Sequence, residues 1–483
     1  NIIFGAAKAF PQLKIPMEEE FYRNVIEVCG SIYRGEPPWG YVKRSGLYGK
    51  GERRMAQLGC AKVLCDSLAG LTFSSQADIF CDDRAQQDYA MRILQENGFW
   101  EKAPSFFSRA YALGGGAMKI YIDGGRVCID YISAEDFIPT GNGRGGISEG
   151  VFGSRFLRGG REFILFEHHG INGGHVVIDR KLYEVRNGSL SAEVSVEEVF
   201  EGLSERDEFP EMDVPMFAYF RPAGDNNLSE GSLLGLSCFA NCTDTLKALD
   251  IAFDSFSREF VLGRKRIIVP SSCIRTVVDP DTGRISRYFD ADDEVYQALK
   301  CDEDKDLKIT DNTVELRISE HVDGINALLN ILCFQVGLSP GSLSFDKAGG
   351  VKTATEVVSE ESKTAVTIRC QKNLLVEFIE EMCRAVLRLA MITNEVPNGD
   401  FEVTVAFKDS VVIDDNTLIQ NNIDLVAAGL KSKISAIMEV MKCDEEAAKR
   451  ELERINAESA VLGVSDGDGF VASGGDADDE GTV

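Results

Sequence analysis

The sequence predicts an α+β fold, and three observations indicate it. Apolar residues recur at helical spacing over 236–262, and the long stretch 353–392 contains neither Gly nor Pro. Apolar and polar residues alternate through much of 117–220, where glycine pairs mark turns between strands. The chain of 483 residues is also long enough for roughly two to four domains. We therefore expect long helices combined with an antiparallel β segment.

The first hundred residues are predicted to be mainly helical. Met17–Tyr33 carries apolar residues on one helix face, and the loop that contains Pro37 and Pro38 ends it. A second helix is expected near Arg53–Leu71, a third over Arg84–Asn97 and a fourth leading into Tyr111.

The β segment follows. Residues Met118–Ile122 alternate in polarity, Asp123-Gly124-Gly125 is a strong hairpin turn, and Val127–Tyr131 is predicted to return along the first strand. Two further strands, Phe163–His169 and His175–Ile178, are expected on either side of a glycine-rich turn. This pattern predicts an antiparallel sheet.

The second half of the chain alternates between helices and short irregular stretches. A helix of roughly 27 residues is expected over 236–262, ending at Gly263, and a medium helix ends at Gly337. The very long helix over 353–392 has a β-branched centre at 364–368, where a bend is expected. The remaining expectations are short strands and turns over 264–316, a strand over 401–407, helices over 416–460 and a disordered acidic tail from Ser465.

Composition limits the class of protein. The 51 basic and 78 acidic side chains give a formal charge of −27. A protein that grips nucleic acid statically usually has a basic face, so this balance argues against a repressor-like binder. It does not exclude an acidic channel along which a polyanion slides.

The cysteines and the apolar runs indicate a compartment. Thirteen cysteines, an odd number without any Cys-x-x-Cys pair, predict free and mostly buried thiols in a reducing environment. No apolar run reaches the roughly eighteen residues that span a bilayer. The first residues lack a basic secretory pattern. We expect a protein that is cytosolic where it is made and has no membrane partner.

One motif suggests an enzyme. Gly337-Leu338-Ser339-Pro340-Gly341 has the Gly-x-Ser-x-Gly pattern of a serine hydrolase. That nucleophile turn requires a strand before the serine and a helix directly after it, whereas a helix precedes Ser339 and Pro340 follows it. Replacement of Ser339 by Ala would abolish ester turnover if the hydrolase alternative were correct.

Other motifs favour structural interpretations, and no cofactor or metal is predicted. The glycine-rich 141–146 matches a dinucleotide fingerprint but is followed by a predicted strand. The adjacent His168 and His169 would point to opposite faces of a strand, which argues against a shared metal with His175. Asp466-Gly467-Asp468-Gly469 lacks the remaining ligands of a calcium loop.

Four segments of the sequence occur in a specific order and spacing. They are Tyr33-Arg34-Gly35-Glu36-Pro37-Pro38-Trp39, the glycine-rich junction from Ala112 to Lys119 with Tyr121–Gly125, the loop from Gly337 to Glu356, and Val426–Lys433 with the helix after it. Together they resemble the portal proteins of tailed phages, in particular those of long-tailed phages of Gram-positive hosts.

The resemblance implies a structural protein without catalysis of its own. It implies a homo-oligomeric ring of twelve subunits, possibly thirteen when expressed alone, at one vertex of a virion capsid. Double-stranded DNA would pass through its channel during packaging and ejection without sequence-specific recognition. The implied partners are the terminase large subunit, which would hydrolyse ATP, a head-completion or adaptor protein, and the major capsid and scaffolding proteins. The subunits would be in the host cytoplasm during assembly.

The resemblance also implies a role for each segment. A loop facing the DNA would include Ser339, Ser342, Ser344, Asp346, Lys347 and Lys352, whereas Arg264, Lys265 and Arg266 would lie where the motor docks. From the residues alone, those three basic side chains could instead complement the end of the preceding helix. The implied segments are 1–235 wing, 236–262 first stem helix, 263–317 clip, 318–337 second stem helix, 338–352 tunnel loop, 353–415 long wing helix and strand, 416–464 crown and 465–483 acidic tail.

A different virion ring or adaptor protein is the main non-enzymatic alternative. The long helix over 353–392 and the insertion at 264–316 are more than a simple adaptor needs. We therefore expect a portal-type subunit with long stem and wing helices, antiparallel β segments and a small clip module, assembled as a ring.

Overall fold

The protein is described from a computed structural model, which divides into two compact units, Asn1–Phe407 and Lys408–Val483. The described residues are 2–13, 21–46, 49–73, 77–143, 146–229, 232–263, 267–268, 275–278, 283, 285–288, 310–311, 315–344, 354–397, 399, 401–407, 419, 422–423, 425–429, 431–441 and 445–461.

The first unit mixes helices with antiparallel sheets, which confirms the α+β prediction. Its helices are α1 (Ile2–Ala9), α2 (Glu27–Tyr33, after a π-helical turn at Tyr22–Ile26), α3 (Cys60–Thr72), α4 (Arg84–Glu96), α5 (Phe99–Leu113), α6 (Val196–Val199), α7 (Thr243–Leu262), α8 (Ile318–Val336) and α9 (Ala354–Ile392).

The predicted helix over Arg53–Leu71 is wrong at its start. A hairpin of β1 (Tyr41–Gly46) and β2 (Gly49–Arg54) occupies that position, and α3 begins only at Cys60. Gly59 has a φ of 71°, a left-handed conformation that ends the extended segment before the helix. The hairpin escaped prediction because basic and glycine residues replace the usual alternation of apolar and polar side chains.

The predicted antiparallel sheet is present and larger than expected. Its strands run in the order β10-β9-β8-β7-β6, and β11 also pairs with β9. The β8–β9 pairing continues to Asn172 opposite His175, so the glycine turn is shorter than predicted. These strands are β6 (Phe137–Gly143), β7 (Gly146–Arg158), β8 (Arg161–Asn172), β9 (His175–Arg186), β10 (Ser189–Val194) and β11 (Arg206–Phe209).

Two smaller sheets complete the first unit's main body. The predicted Asp123-Gly124-Gly125 hairpin joins β4 (Gly116–Asp123) to β5 (Arg126–Ser133), and β12 (Phe217–Phe220) pairs with β4. The predicted strand near 401–407 is β17 (Val403–Phe407), which pairs with β3 (Ala77–Cys81). The β3–β17 pairing brings together segments that are more than 300 residues apart in the chain.

The core lies where α5, β12 and α9 meet. The ring centroids of Phe107 and Phe220 are 5.0 Å apart, and Phe378 of α9 lies 5.9 Å from each of them. All three side chains are at most 2% exposed. Burial of aromatic side chains of this size is a main source of folding free energy, so the long helix is a central structural element.

The predicted helix over 236–262 is shorter than expected. Its α-helical part is α7, preceded by a 3₁₀ turn at Ala240–Cys242. The Cys238 backbone N–H donates to the Tyr111 carbonyl oxygen at 2.9 Å, which ties this segment to the end of α5. A tertiary hydrogen bond therefore replaces the first turns of helix that the apolar spacing predicted.

The long helix is α9, which spans 39 residues in agreement with the prediction. At 1.5 Å per residue it is about 58 Å long. The bend expected at 364–368 stays a prediction.

The second unit contains α10 (Lys433–Met441) and α11 (Glu445–Val461), which confirms the prediction of helices there. The predicted disordered tail from Ser465 lies outside the described residues.

The cysteines of the described segments are free, as predicted. Six of the ten are buried, and only Cys370 is exposed. Burial raises the pKa of Cys29 to about 11 and that of Cys60 to about 12, so both thiols are protonated at neutral pH. Among the helices that the structure describes, none has the length and apolar character needed to span a membrane.

Candidate functional site

The helices α7 and α8 form an antiparallel pair. Near the start of α7, Thr245 donates a hydrogen bond to Gln335 at the end of α8 at 2.8 Å. At the opposite end, Arg317 and His321 at the start of α8 lie 3.1 and 3.6 Å from the Glu259 carboxylate. The hydrogen bond from Arg317 lowers the pKa of Glu259. The contacts of Glu259 hold the end of α7 to the start of α8, and the segment 264–316 connects these two points in the chain.

That intervening segment contains short antiparallel strands, as predicted for its described parts. The strand β13 (Ile267–Ile268) pairs with β16 (Thr310–Asp311), and β14 (Arg275–Val278) pairs with β15 (Ile285–Tyr288). The predicted docking residues Arg264, Lys265 and Arg266 lie outside the described residues.

Two acidic residues of α7 attach the segment 39–58 to the helix pair. Asp250 accepts hydrogen bonds from the Trp39 indole N–H at 2.8 Å and from the Leu58 backbone N–H at 3.0 Å. Asp254 pairs with both terminal nitrogens of Arg53 at 2.5 Å and accepts the Ala56 N–H at 2.9 Å. Sequence analysis missed both residues, although a pair of acids four apart on an apolar helix was a signal for them.

The two carboxylates respond differently to these surroundings. The hydrogen bond from Arg53 lowers the pKa of Asp254, because it stabilises the ionised form. Burial raises the pKa of Asp250, and the bond from Trp39 opposes that rise. The Asp254–Arg53 pair is therefore the ionic attachment, whereas Asp250 acts mainly as a hydrogen-bond acceptor.

The loop after α8 begins with a glycine that the geometry requires. Gly337 has a φ of 78°, and a Cβ at this position would lie 2.8 Å from Thr367 Oγ1. The Leu338 N–H donates to the Cys333 carbonyl oxygen at 2.8 Å, as in a helix-terminating turn. The predicted end of the medium helix is thus confirmed.

Two threonines of α9 hold this loop. Thr367 donates to the Gly337 carbonyl oxygen at 2.7 Å, and Thr364 accepts the Ser339 N–H at 2.9 Å. The Thr364 hydroxyl also donates to Ser339 Oγ at 3.1 Å. Sequence analysis treated the β-branched centre of this helix as a place for a bend and missed its role in binding the loop.

The predicted DNA-facing residues occupy different environments. Ser339 is only 4% exposed and bound to Thr364, so within the subunit it anchors the loop and does not project from it, contrary to expectation. Ser342 and Ser344 are exposed in the subunit, and their role in facing DNA stays a prediction. Asp346, Lys347 and Lys352 lie outside the described residues.

The geometry around Ser339 differs from that of a hydrolase. The element before the serine is α8, and its hydroxyl accepts a hydrogen bond from a threonine. His321 lies fifteen residues before the end of the same helix, roughly 22 Å away along its axis. Among the described residues, the strand, tight turn and adjacent base of a nucleophile elbow are therefore not brought together at this serine.

The described dinucleotide-like glycines lie in two paired strands, at the end of β6 and the start of β7, where a loop between strands was predicted. Gly143 and Gly146 face each other at the end of the β6–β7 hairpin. A helix N-terminus, which would bind a phosphate, does not follow them. Pro139, which we took as an interruption, lies within β6 opposite Gly150.

The neighbouring histidines are part of the sheet. Burial lowers the pKa of His169 to about 3, and its ring centroid lies 4.9 Å from that of Phe152. His168 lies on the other face of the strand, with its ring centroid 5.6 Å from that of Phe10. In the described segments, no three His, Cys, Asp or Glu side chains are grouped to hold a metal.

A buried ionic cluster links the three-stranded sheet to the larger one. Glu167 Oε2 lies 2.5 Å from Lys119 Nζ, and Glu167 Oε1 lies 2.9 Å from Arg180 Nε. Arg180 also pairs with Asp207. Burial alone would raise the pKa of Glu167, but Lys119, His169 and Arg180 lower it to about 2. The cluster is structural, because its groups satisfy one another.

Comparison with known proteins identifies the class. The model of a family described as phage portal protein, SPP1 Gp6-like, matches residues 50–461. The chain therefore belongs to the phage portal protein family, a family of virion structural proteins. The match leaves little basis for the adaptor alternative, because it covers most of the chain.

The comparison with solved structures gives a more distant similarity. One is a chain from the "Virion of native gene transfer agent (GTA) particle", with a TM-score of 0.38 and 12% sequence identity. The match covers 79% of this chain and 89% of that chain. No curated protein matches the sequence.

Proposed function

We propose that the protein forms a ring of twelve subunits at one capsid vertex, through which double-stranded DNA enters and leaves the virion. The family match over residues 50–461 is the observation that carries this proposal. The ring would also be the docking site for the terminase large subunit during packaging and for head-completion proteins afterwards. Subunits would assemble in the host cytoplasm with scaffolding and major capsid proteins.

Exposed apolar side chains on the helix pair support assembly. Ile251 and Phe260 of α7 are each 46% exposed, and Ile331 and Phe334 of α8 are 48% and 70% exposed. Large apolar side chains that a subunit leaves exposed are candidates for burial against a partner. Repetition of a head-to-tail contact between identical subunits closes into a ring and would cover them.

Each segment has a role in this proposal. The antiparallel pair α7–α8 would form the stem, and the short strands between the two helices would form the clip, with Arg264, Lys265 and Arg266 near the motor. The wing would comprise 1–235 and 353–415, and the crown would comprise 416–464. The formal charge of −27 gives an acidic ring, whose walls would not retain a polyanion.

The loop over 338–352 would face the DNA. Ser342, Ser344, Asp346, Lys347 and Lys352 would be its contact residues, held in place by the Ser339–Thr364 anchor. Deletion of residues 345–350, which leaves that anchor intact, should preserve ring assembly and reduce DNA packaging. Loss of the ring in this variant would contradict the assignment of the loop.

We also propose that the subunit has no catalytic activity and that ATP hydrolysis belongs to the terminase. The membership in a family of structural proteins supports this, as does the threonine-bound position of Ser339.

The native mass of the purified protein tests the ring. Twelve subunits of 53.0 kDa would give a particle of about 636 kDa, and thirteen would give about 689 kDa. Native mass spectrometry separates these values from each other and from a monomer. A protein that stays monomeric at all concentrations, and also in the presence of its scaffolding protein, would contradict the proposal.

A further inference from the structure

One face of α7 points away from α8. Arg258 and Val261 share this face with Asp254, because residues three and four apart lie on the same side of a helix. Glu259 and Phe256, which contact His321 of α8, lie on the opposite side. The helix pair therefore has two outer sides, one formed by this face of α7 and the other by the far side of α8.

A basic groove lies along the outer face of α7. It has a volume of about 740 Å³ and is lined by four arginines: Arg34, Arg53, Arg54 and Arg258. Arg53 is neutralised by Asp254, and Arg34 is bonded to Glu135. Asp254 also lines the groove, and Arg258 helps to lower its pKa. Neither Arg54 nor Arg258, however, forms a salt bridge with a residue in the described segments. A groove with two such arginines is a strong positive feature in a chain with a formal charge of −27.

The far side of α8 is acidic at its first turns. Glu320 and Asp323 are both exposed. Asp323 and Phe334 lie on the same stripe of the helix, eleven residues apart. His321 and Ile325, which point towards α7 and the core, lie on the opposite side.

The two charged patches lie at the same end of the helix pair. Arg258 is adjacent to Glu259, and Glu259 is bonded to the start of α8 at Arg317. Glu320 and Asp323 lie within the next two turns of α8. The basic groove and the acidic patch are therefore level with each other on opposite outer sides of the pair.

We propose that Arg54 and Arg258 of one subunit bind Glu320 and Asp323 of a second copy of this chain. The inference rests on the proposed ring, in which the helix pair runs along the channel. Neighbouring subunits of a ring are related by rotation about the channel axis. This rotation leaves the position of each patch along the axis unchanged and places one outer side of a helix pair against the opposite outer side of the next. Positive and negative patches at one height then meet at every interface, and complementary charges of this kind fix the register of a contact.

Charge exchange tests the pairing. Arg54→Glu with Arg258→Glu should raise the concentration at which half of the protein is assembled by about tenfold or more, because like charges would face each other. Glu320→Lys with Asp323→Lys should do the same. A chain that carries all four substitutions should recover assembly to near the wild-type concentration, since each interface again joins opposite charges. Arg84→Glu with Arg126→Glu, at two exposed positions away from the helix pair, is the control with the same change of charge as the arginine pair.

Native mass measured against concentration is the readout, and circular dichroism verifies that each variant is folded. A wild-type ring that the two separate exchanges leave unchanged would overturn this pairing and leave the proposed ring intact. Disruption without recovery in the combined variant would also overturn the pairing. Variants that assemble normally but no longer bind a duplex DNA probe would overturn it as well. A wild-type protein that never forms a ring would instead contradict the proposed function itself.

Discussion

The indole N–H of Trp39 donates a hydrogen bond to Asp250 Oδ2 at 2.8 Å, across 211 residues of sequence. This bond attaches the Pro-Pro-Trp segment to the first helix of the pair. Asp250 also accepts the Leu58 N–H, so one carboxylate holds both ends of the segment that contains the β1–β2 hairpin. The hairpin and the basic groove next to it are positioned by this attachment.

Replacement of Trp39 by Phe should therefore destabilise the protein. The substitution keeps an aromatic ring but removes the donor, and we expect the free energy of unfolding to fall by about 1–3 kcal/mol. Urea denaturation followed by circular dichroism measures this change. Trp100→Phe is the matched control, because the Trp100 indole nitrogen is buried without a hydrogen-bond partner among the described residues. Equal losses in the two variants would show that ring size, and not the bond to Asp250, is responsible.

The elements that sequence predicted well are those whose pattern is local. The α9 helix and the β4–β5 hairpin were predicted because a run without Gly or Pro and a glycine turn between alternating strands are properties of neighbouring residues. The family resemblance was also confirmed, by the match over residues 50–461, which contains three of the four short segments that carry it.

The elements that sequence missed depend on distant contacts. The apolar spacing at 236–242 continues that of α7, but the Cys238 N–H is bound to Tyr111, so no α-helix forms there. The position of β2 depends on the bond between Arg53 and Asp254, 201 residues away. Periodicity carries no information about such partners, and for the same reason it did not reveal that Thr364 anchors Ser339.

The hydrogen bonds between Thr364 and Ser339 predict that two small substitutions lower the free energy of unfolding by different amounts. Thr364→Val leaves the Ser339 N–H without its acceptor and should lower the free energy of unfolding by about 1–3 kcal/mol. Ser339→Ala removes only a hydroxyl and should cost less, about 0.5–1.5 kcal/mol. Denaturation compares the two. Neither variant should change turnover of a generic ester, and an activity that is present in the wild type and lost in Ser339→Ala would restore the hydrolase alternative.

The buried cluster of Lys119, Glu167 and Arg180 predicts a dependence of stability on pH. The folded pKa of Glu167, about 2, is below its ordinary value of 4.5, so the unfolded chain binds the proton more tightly. Its contribution is therefore fully present above about pH 4.5 and is lost as the pH falls towards 2. At pH 7, Glu167→Gln should lower the free energy of unfolding by about 3 kcal/mol, because it leaves two buried cations poorly compensated.

The difference between Glu167→Gln and the wild type should narrow as the pH falls below about 4.5, which thermal unfolding at several pH values can measure. Glu162→Gln is the control, because its ion pair with Arg155 is half exposed and should contribute less than 1 kcal/mol. A constant difference between Glu167→Gln and the wild type from pH 7 down to pH 3 would contradict the ionised state of Glu167.

Two glycines of the α8 region predict opposite effects of the same substitution. At Gly337, which has a φ of 78°, Ala would be strained and its Cβ would approach Thr367 Oγ1, so we expect a loss of about 1–3 kcal/mol. At Gly324, inside α8, an added Cβ meets no atom within 4 Å, and Ala should stabilise the helix by about 0.5–1 kcal/mol. Gly337→Asn should cost less than Gly337→Ala, because Asn tolerates the left-handed conformation better. Thermal unfolding ranks the three variants. A neutral Gly337→Ala would show that the turn after α8 can relax, and that the Thr364 and Thr367 bonds do not fix the path of the loop.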